Sequence, residues 1–262
     1  DDDEPYVSDD YSVNQIIAYS QYLEKDKKDS IPYVFLTKEI LLQQVEEQDT
    51  LHLHCDSIWI YFDTNMRAEE MYAYNHVKFY RMDMQGVADT LFYDIKDSLV
   101  YFLGRPILWN ENNQFTADTI SLKVIENSDR EMFMYPNVII AQNSDTTTKQ
   151  YFNQISGRNF KANFSKNRIK YAEIEHQVKS IFYFWEEGKK TKKLMGVNIG
   201  ESSKLNLYFE RGRLKKMTAI DLPKFYLDDN DRINEEEKIL KGFVWLEENR
   251  PMSKQDIFIH RN

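Results

Sequence analysis

A chain of 262 residues has room for one large β domain or two small ones, and 42% hydrophobic with 29% charged residues place it among ordinary globular proteins. The net charge of −9 excludes the usual nucleic-acid partner, which needs a basic face, and argues against simple electrostatic attraction to anionic membranes. No run approaches the roughly 18 apolar residues that cross a bilayer as a helix. The single cysteine, Cys55, excludes an intrachain disulfide and a cysteine-based zinc site, and reads as a small residue half-buried in a strand.

The chain opens Asp1-Asp2-Asp3-Glu4-Pro5, with neither a basic nor an apolar leader region, so a signal peptide is expected to be absent or already removed. Residues Asp1 to Asp10 read as unstructured. Ser12 to Glu24 reads as a short helix, because Val13, Ile16, Ile17, Ser20 and Leu23 fall on one helical face and Ser12 with Gln15 fits a capping box. Charged residues Glu24 to Asp29 and then Ile31-Pro32 end it.

From about Tyr33 to Ile220 the pattern is strands and turns, in keeping with an aromatic content of 14% that favours strands. Candidate strands are Leu51–Phe62, Met71–Arg81, Val87–Tyr93, Leu99–Leu103, Phe115–Val124, Ile169–Val178, Ile181–Trp185, Leu205–Phe209 and Leu214–Ile220. Pro223 to Lys241 is charged and loop-like, with a short helix predicted over Asn234 to Lys241 and stopped at Gly242.

A degenerate internal repeat organises this text. Its cleanest copies are Cys55-Asp56-Ser57-Ile58-Trp59-Ile60, Ala88-Asp89-Thr90-Leu91-Phe92-Tyr93 and Ala117-Asp118-Thr119-Ile120-Ser121-Leu122. The step is 33 residues from Asp56 to Asp89 and 29 from Asp89 to Asp118, about the length of two strands with their turns. Weaker echoes begin at Gly157-Arg158-Asn159-Phe160 and Glu201-Ser202-Ser203-Lys204-Leu205. Alternate strand positions share a face, so Ile58, Ile60, Leu91, Tyr93, Ile120 and Leu122 form the expected inward set, while Trp59, Phe92 and Ser121 point out. Stacked copies would bury one continuous interior that no single copy could bury alone.

This repeat resembles the OstA/LptA family of lipopolysaccharide-transport proteins. The run Val87-Ala88-Asp89-Thr90-Leu91-Phe92-Tyr93-Asp94 and its continuation from Asp97 to Trp109 look typical of that family. Tyr151 to Gly157, Gly196-Val197-Asn198 and Gly242-Phe243-Val244-Trp245 with Arg250-Pro251 are similar to its longer OstA-like version. Asp is replaced near Arg158 and Ser202, and the chain is longer than a minimal unit. The resemblance implies an all-β jellyroll of degenerate repeats, two sheets around an apolar slot. It also implies a periplasmic, non-catalytic protein that binds acyl chains of lipopolysaccharide or a lipid A-like glycolipid. Other transport-bridge proteins would join it through edge strands, with head-to-tail homo-oligomers included. Residues 1–32 would then be an acidic N-terminal segment, 33–221 the jellyroll and 222–262 a loop-rich cap. The alternative is a structural or adhesive β scaffold whose interior is filled by its own side chains.

Enzyme chemistry finds little purchase. Of the five histidines only His52 and His54 lie close in sequence, on one strand face and without a third ligand. Asp228-Asp229 and Glu235 to Glu237 sit in loop-like sequence, and no nucleophile elbow, phosphate loop or dinucleotide glycine pattern occurs. No cofactor and no metal are therefore expected. Asp56, Asp89 and Asp118 are too sparse for the six to eight oxygens that calcium takes, and read as turn-capping residues. Lys189, Lys190, Lys192 and Lys193, beyond the aromatic strand Ile181–Trp185, read as a hairpin tip, with lipid phosphates or sugar acids as the functional alternative; Arg211, Arg213, Lys215 and Lys216 form a second such cluster.

Overall fold

The computed structural model describes residues 14–17, 21–22, 32–45, 49–125, 129–145, 149–165, 168–187, 192–210 and 213–259. The chain is all-β, with antiparallel strands and, among the described residues, only short 3-10 turns besides. The contacts divide it into two compact units. One holds residues 1–111, 119–124 and 246–262, the other residues 112–118 and 125–245.

In the first unit the strands are β1 (Asn14–Ile17), β2 (Gln21–Tyr22), β3 (Tyr33–Val45), β4 (Thr50–Phe62), β5 (Ala68–Arg81), β6 (Met84–Asp94), β7 (Leu99–Leu103), β8 (Ile107–Asn110) and β10 (Thr119–Val124). The long ones are bent near the middle. Their registers shift between Thr37 and Ile40, His54 and Ser57, and Tyr74 and Val77. Each bent strand thus has two arms; β3, β4, β5 and β6 stay paired in sequence through both, and the far side of β6 pairs through Thr90–Asp94 with β7 and through Gln85–Val87 with β8. The arms form two sets that face each other across the interior, where Phe79 of one set lies 5.3 Å from Phe102 of the other.

The second unit repeats this plan with β9 (Asn113–Thr116), β11 (Arg130–Tyr135), β12 (Val138–Asn143), β13 (Phe152–Gly157), β14 (Asn159–Ser165), β15 (Arg168–Glu187), β16 (Lys192–Glu210), β17 (Arg213–Ile220) and β18 (Lys224–Asp228). The first arm of β15 pairs with β14 and its second arm with β13, the register breaking between Glu175 and Val178. Likewise β16 pairs with β17 through one arm and with β18 through the other.

Within the span expected to be helical, Asn14–Ile17 and Gln21–Tyr22 are strands. They pair with Leu41–Gln44 and with Phe35–Leu36 of β3. The helical face is outweighed because Ile16 and Ile17 are β-branched, and β3 offers a ladder of backbone groups that an isolated short helix lacks. In the C-terminal segment, Lys224–Asp228 is a strand and the short helix read over Asn234 to Lys241 is a 3-10 turn at Glu235–Lys238.

A strap covers the outer side of the second arms within each unit, residues 229–245 in the second and residues 246–259 in the first. In the second unit Gln154 clamps it: Nε2 donates to the Lys238 carbonyl at 2.9 Å, and Oε1 accepts from the Leu240 N–H at 2.9 Å. Gln114 Nε2 donates to the Val244 carbonyl at 2.8 Å. Ile233 and Leu240 bury themselves against Ile181, Tyr183 and Val197. In the first unit Arg250 Nε donates to Gln85 Oε1 at 2.8 Å, and Phe258 packs 4.8 Å from His54. Truncating Gln154 strands two buried backbone groups, each costing about 1–3 kcal/mol when unpaired. Gln154→Ala should therefore lower the urea midpoint clearly, whereas Gln150→Ala on the exposed surface should leave it unchanged.

Candidate functional site

Strand registers gather the expected inward set into two rows of the first unit. Ile58 lies opposite Ala73, Ala73 opposite Leu91, and Leu91 opposite Phe102, which faces Ile120. The second row runs Ile60, Met71, Tyr93, Val100 and Leu122. The row beside the bends is sealed: Ile58 and Ile120 are 0% exposed and Leu91 3%. The row one step farther out is less so, with Ile60 and Leu122 at 7% and Tyr93 half-buried. Farther still, Val124 and Ile125 are exposed.

Trp59, Phe92 and Ser121 occupy the opposite face, where a third row continues through Phe35, Tyr72 and Tyr101. Its rings pack on one another: Phe35 lies tilted against Trp59 at 4.4 Å, while Tyr72 stacks on Phe92 at 4.7 Å and Phe92 on Tyr101 at 5.8 Å. Cross-strand aromatic pairs of this kind stabilise a sheet by up to about 1 kcal/mol each.

The repeated aspartates sit at the bends. Asp56 Oδ2 accepts from His76 Nδ1 at 2.9 Å, and Asp118 Oδ2 accepts from Asn137 Nδ2 at 2.8 Å. The partner residue has left-handed backbone in both cases, with φ of 49° and 56°. At Asp89 the neighbouring bend is Gly104, φ 81°, where any Cβ would collide with the aspartate side chain. Asp56 and Asp118 thus join neighbouring bends through side-chain hydrogen bonds, and Asp89 packs closely against one. Among the described residues no three of His, Cys, Asp and Glu come together as a metal site.

His52 bonds Gln43 at 3.0 Å, and buried His54 bonds the Ile40 carbonyl at 2.8 Å, so both rings are engaged structurally. Lys189 and Lys190 lie outside the described residues, as does His260; Lys192 begins β16 and Lys193 is exposed. The buried glutamines that hold the strap were legible as a pattern that went unread. Gln85, Gln114 and Gln154 each stand four residues before Asp89, Asp118 and Arg158, the bend positions of successive repeats.

Two concavities, of about 550 and 340 Å³, lie in the second unit along its bends, lined by Tyr135, Arg158, Asn159 and His176 and by Phe133, Lys161 and Glu173 among others. Neither includes a residue of the inward set. Beside the second, Lys204 bridges Glu173 and Glu175 at 3.0 and 2.7 Å. Its hydrogen bond to Glu175, then that to Glu173, raises the Lys204 pKa, and the bond from Lys204 lowers that of Glu173. No helix among the described residues is long and apolar enough to cross a membrane. No family model matches the chain, and no curated protein matches it in sequence.

Cys55 is fully buried in the same interior, and burial, then the Asp56 charge, pushes its thiol up to about 12. A thiol whose pKa is higher in the folded than in the unfolded chain stabilises the fold below the unfolded value of 9.0, and that contribution is lost as pH rises through about 12. Urea titrations should show stability falling between those limits, with a smaller fall in Cys55→Ala. The native thiol should resist Ellman's reagent at pH 8 and react once the protein unfolds.

Proposed function

We propose that the chain is a non-catalytic lipid-binding component of lipopolysaccharide transport, of the OstA/LptA type. It would act in the periplasm and hold acyl chains between its two sets of strand arms. The observation that carries this reading is the gradient of burial across the inward set, closed at Ile58, Leu91 and Ile120 and looser at Ile60, Tyr93 and Leu122. An apolar interior hinged at the bends can admit a chain from the side away from them. The energetics agree: shielding an acyl chain of about a dozen methylenes is worth roughly 10 kcal/mol, at about 0.8 kcal/mol per methylene. The repeat built on Asp56, Asp89 and Asp118 supports the same family, and a jellyroll is the arrangement that it implies.

Partners would add to the edge offered by β17 and β18, where Leu222, Tyr226 and Leu227 are 83%, 46% and 65% exposed. An apolar strand edge of this kind recruits another strand through its backbone groups, whether from a transport-bridge protein or a second copy. Exposed Lys193 would meet lipid phosphate, with Lys189, Lys190 and Lys192 beside it in sequence.

A filled scaffold is the second reading, favoured by the contact of Phe79 with Phe102 across the interior. Photo-crosslinkers separate the two. At Ile60, Tyr93 and Leu122 they should capture lipopolysaccharide, and at Phe92, one step away on the other face, they should not. Ile58 and Ile120, against the bends, should capture little. Equal capture at Tyr93 and Phe92 would refute the slot, and no capture at any position of a folded protein would favour the scaffold.

A further inference from the structure

In the repeats of Asp56 and Asp118, the bend carries a carboxylate matched by a donor across from it. The fourth repeat breaks that rule. The register places Arg158 where Asp56 stands: Ser57, after Asp56, pairs with Tyr74, and Asn159, after Arg158, pairs with Glu175. Two residues beyond Tyr74 is His76, the donor to Asp56; two residues beyond Glu175 is Gln177. The bend geometry is kept, with φ of 65° at His176 and 56° at Gln177, against 60° at Asn75 and 49° at His76. A donor therefore remains and its carboxylate is gone. A cation replaces it.

The surroundings make room for a replacement. Tyr135, Arg158, Asn159, His176, Gln177 and Ser203 line a cleft of about 550 Å³, within the size range of ligand sites. Arg158 donates one hydrogen bond to the Tyr135 hydroxyl at 2.9 Å and lies 5.4 Å over its ring, so the other donors of its guanidinium fork are left for a carboxylate. Among the described residues, the side chains of Asn159, His176, Gln177 and Ser203 have no hydrogen-bond partner. Two carboxylates of the neighbouring strand, Glu173 and Glu175, are both held by Lys204.

We propose that this cleft binds an acidic saccharide, whose carboxylate takes the place of the repeat's aspartate. The carboxylate meets Arg158 and Gln177, and the sugar hydroxyls meet Asn159, His176 and Ser203. The volume exceeds that of a bare ion, and its polar side chains have the donor and acceptor mix that a polyol needs. The overall negative charge opposes approach only weakly at physiological salt, where screening acts within about 8 Å. The proposal stands apart from the acyl slot, whose inward set belongs to the other unit.

The test is titration of the full isotope-labelled chain with D-glucuronate, followed through the side-chain amides of Asn159 and Gln177. Saturable shifts of those amides, with D-glucose binding at least about tenfold more weakly, a difference of about 1.4 kcal/mol, are the expected result. Arg158→Asp restores the aspartate of the other repeats and should abolish binding while the protein stays folded; Arg158→Gln, which removes only the charge, checks this should the first variant misfold. Equal binding of glucose, or unchanged binding in both variants, overturns the site. Acetate or inorganic phosphate binding as tightly as glucuronate overturns the saccharide, leaving a general anion site in its place.

Discussion

Each long strand of this protein has to turn a corner halfway along, and the corners of neighbouring strands have to stack. A strand bent in the middle exposes unpaired backbone groups at the corner unless the next strand bends at the same height. The structure meets the constraint by alternation. One strand of each pair turns through left-handed residues, as at Asn75-His76, Gly104-Arg105, His176-Gln177 and Asp221-Leu222. The other presents a backbone N–H to that corner, as Arg158 does to the Glu175 carbonyl at 2.9 Å and Ser203 to the Asp221 carbonyl at 3.1 Å. The sequence repeat is therefore a pair of bent strands, and its aspartate is the side-chain half of this joint. Left-handed backbone is costly for residues other than glycine, so a carboxylate that ties His76 or Asn137 in place helps to hold the conformation that the corner needs.

Bending also decides what the faces are for. With two sets of arms turned toward each other, alternate residues such as Ile58, Leu91 and Ile120 point into the interior between them, and the residues between those face outward. Both outer faces are rich in large apolar side chains, and the two are treated differently. Over the second arms the chain itself supplies the cover: the strap buries Ile181 and Val197 in one unit and packs Phe258 on His54 in the other. Over the first arms of the first unit, Phe35, Trp59, Tyr72, Phe92 and Tyr101 lie side by side along one row, with Tyr72, Phe92 and Tyr101 stacked face to face.

Much of this was legible in the amino-acid sequence, because alternation with period two is a direct image of a strand with two different faces. Leu99–Leu103 was read with its observed ends, and the inward residues of three repeats fall in the two rows expected. The misreadings have physical causes. Ile16 and Ile17 suit a helical face and a strand equally, and only the presence of β3 beside them decides. The single strand Arg168–Glu187 reads as two, Ile169–Val178 and Ile181–Trp185, because the polar pair Lys179-Ser180 interrupts the apolar run. Trp59 and Phe92 were read as merely outward, because pattern alone does not tell that their strands bring them into one stacked row. The strap was invisible as structure because it has no periodicity; its signal lay in the buried glutamines beneath it.

Those glutamines follow from geometry. A segment that crosses a sheet over its face meets strands whose backbone donors and acceptors are already spent on one another, so it has no ladder to join. Its own peptide groups still need partners once Ile233 and Leu240 are buried. A glutamine pointing out of the sheet answers this need, since its amide carries both a donor and an acceptor at the reach of a peptide group. Gln154 uses both ends, giving to Lys238 and taking from Leu240, while Gln114 gives to Val244. An apolar residue in the same place would bury as much surface and leave the crossing backbone unpaired. An aspartate would accept and could not give, and would carry an uncompensated charge into a buried contact. Recurrence of glutamine four residues before successive bends is thus the outer-face counterpart of the aspartate at the bend. One joins strand to strand, and the other joins the strands to the chain that covers them.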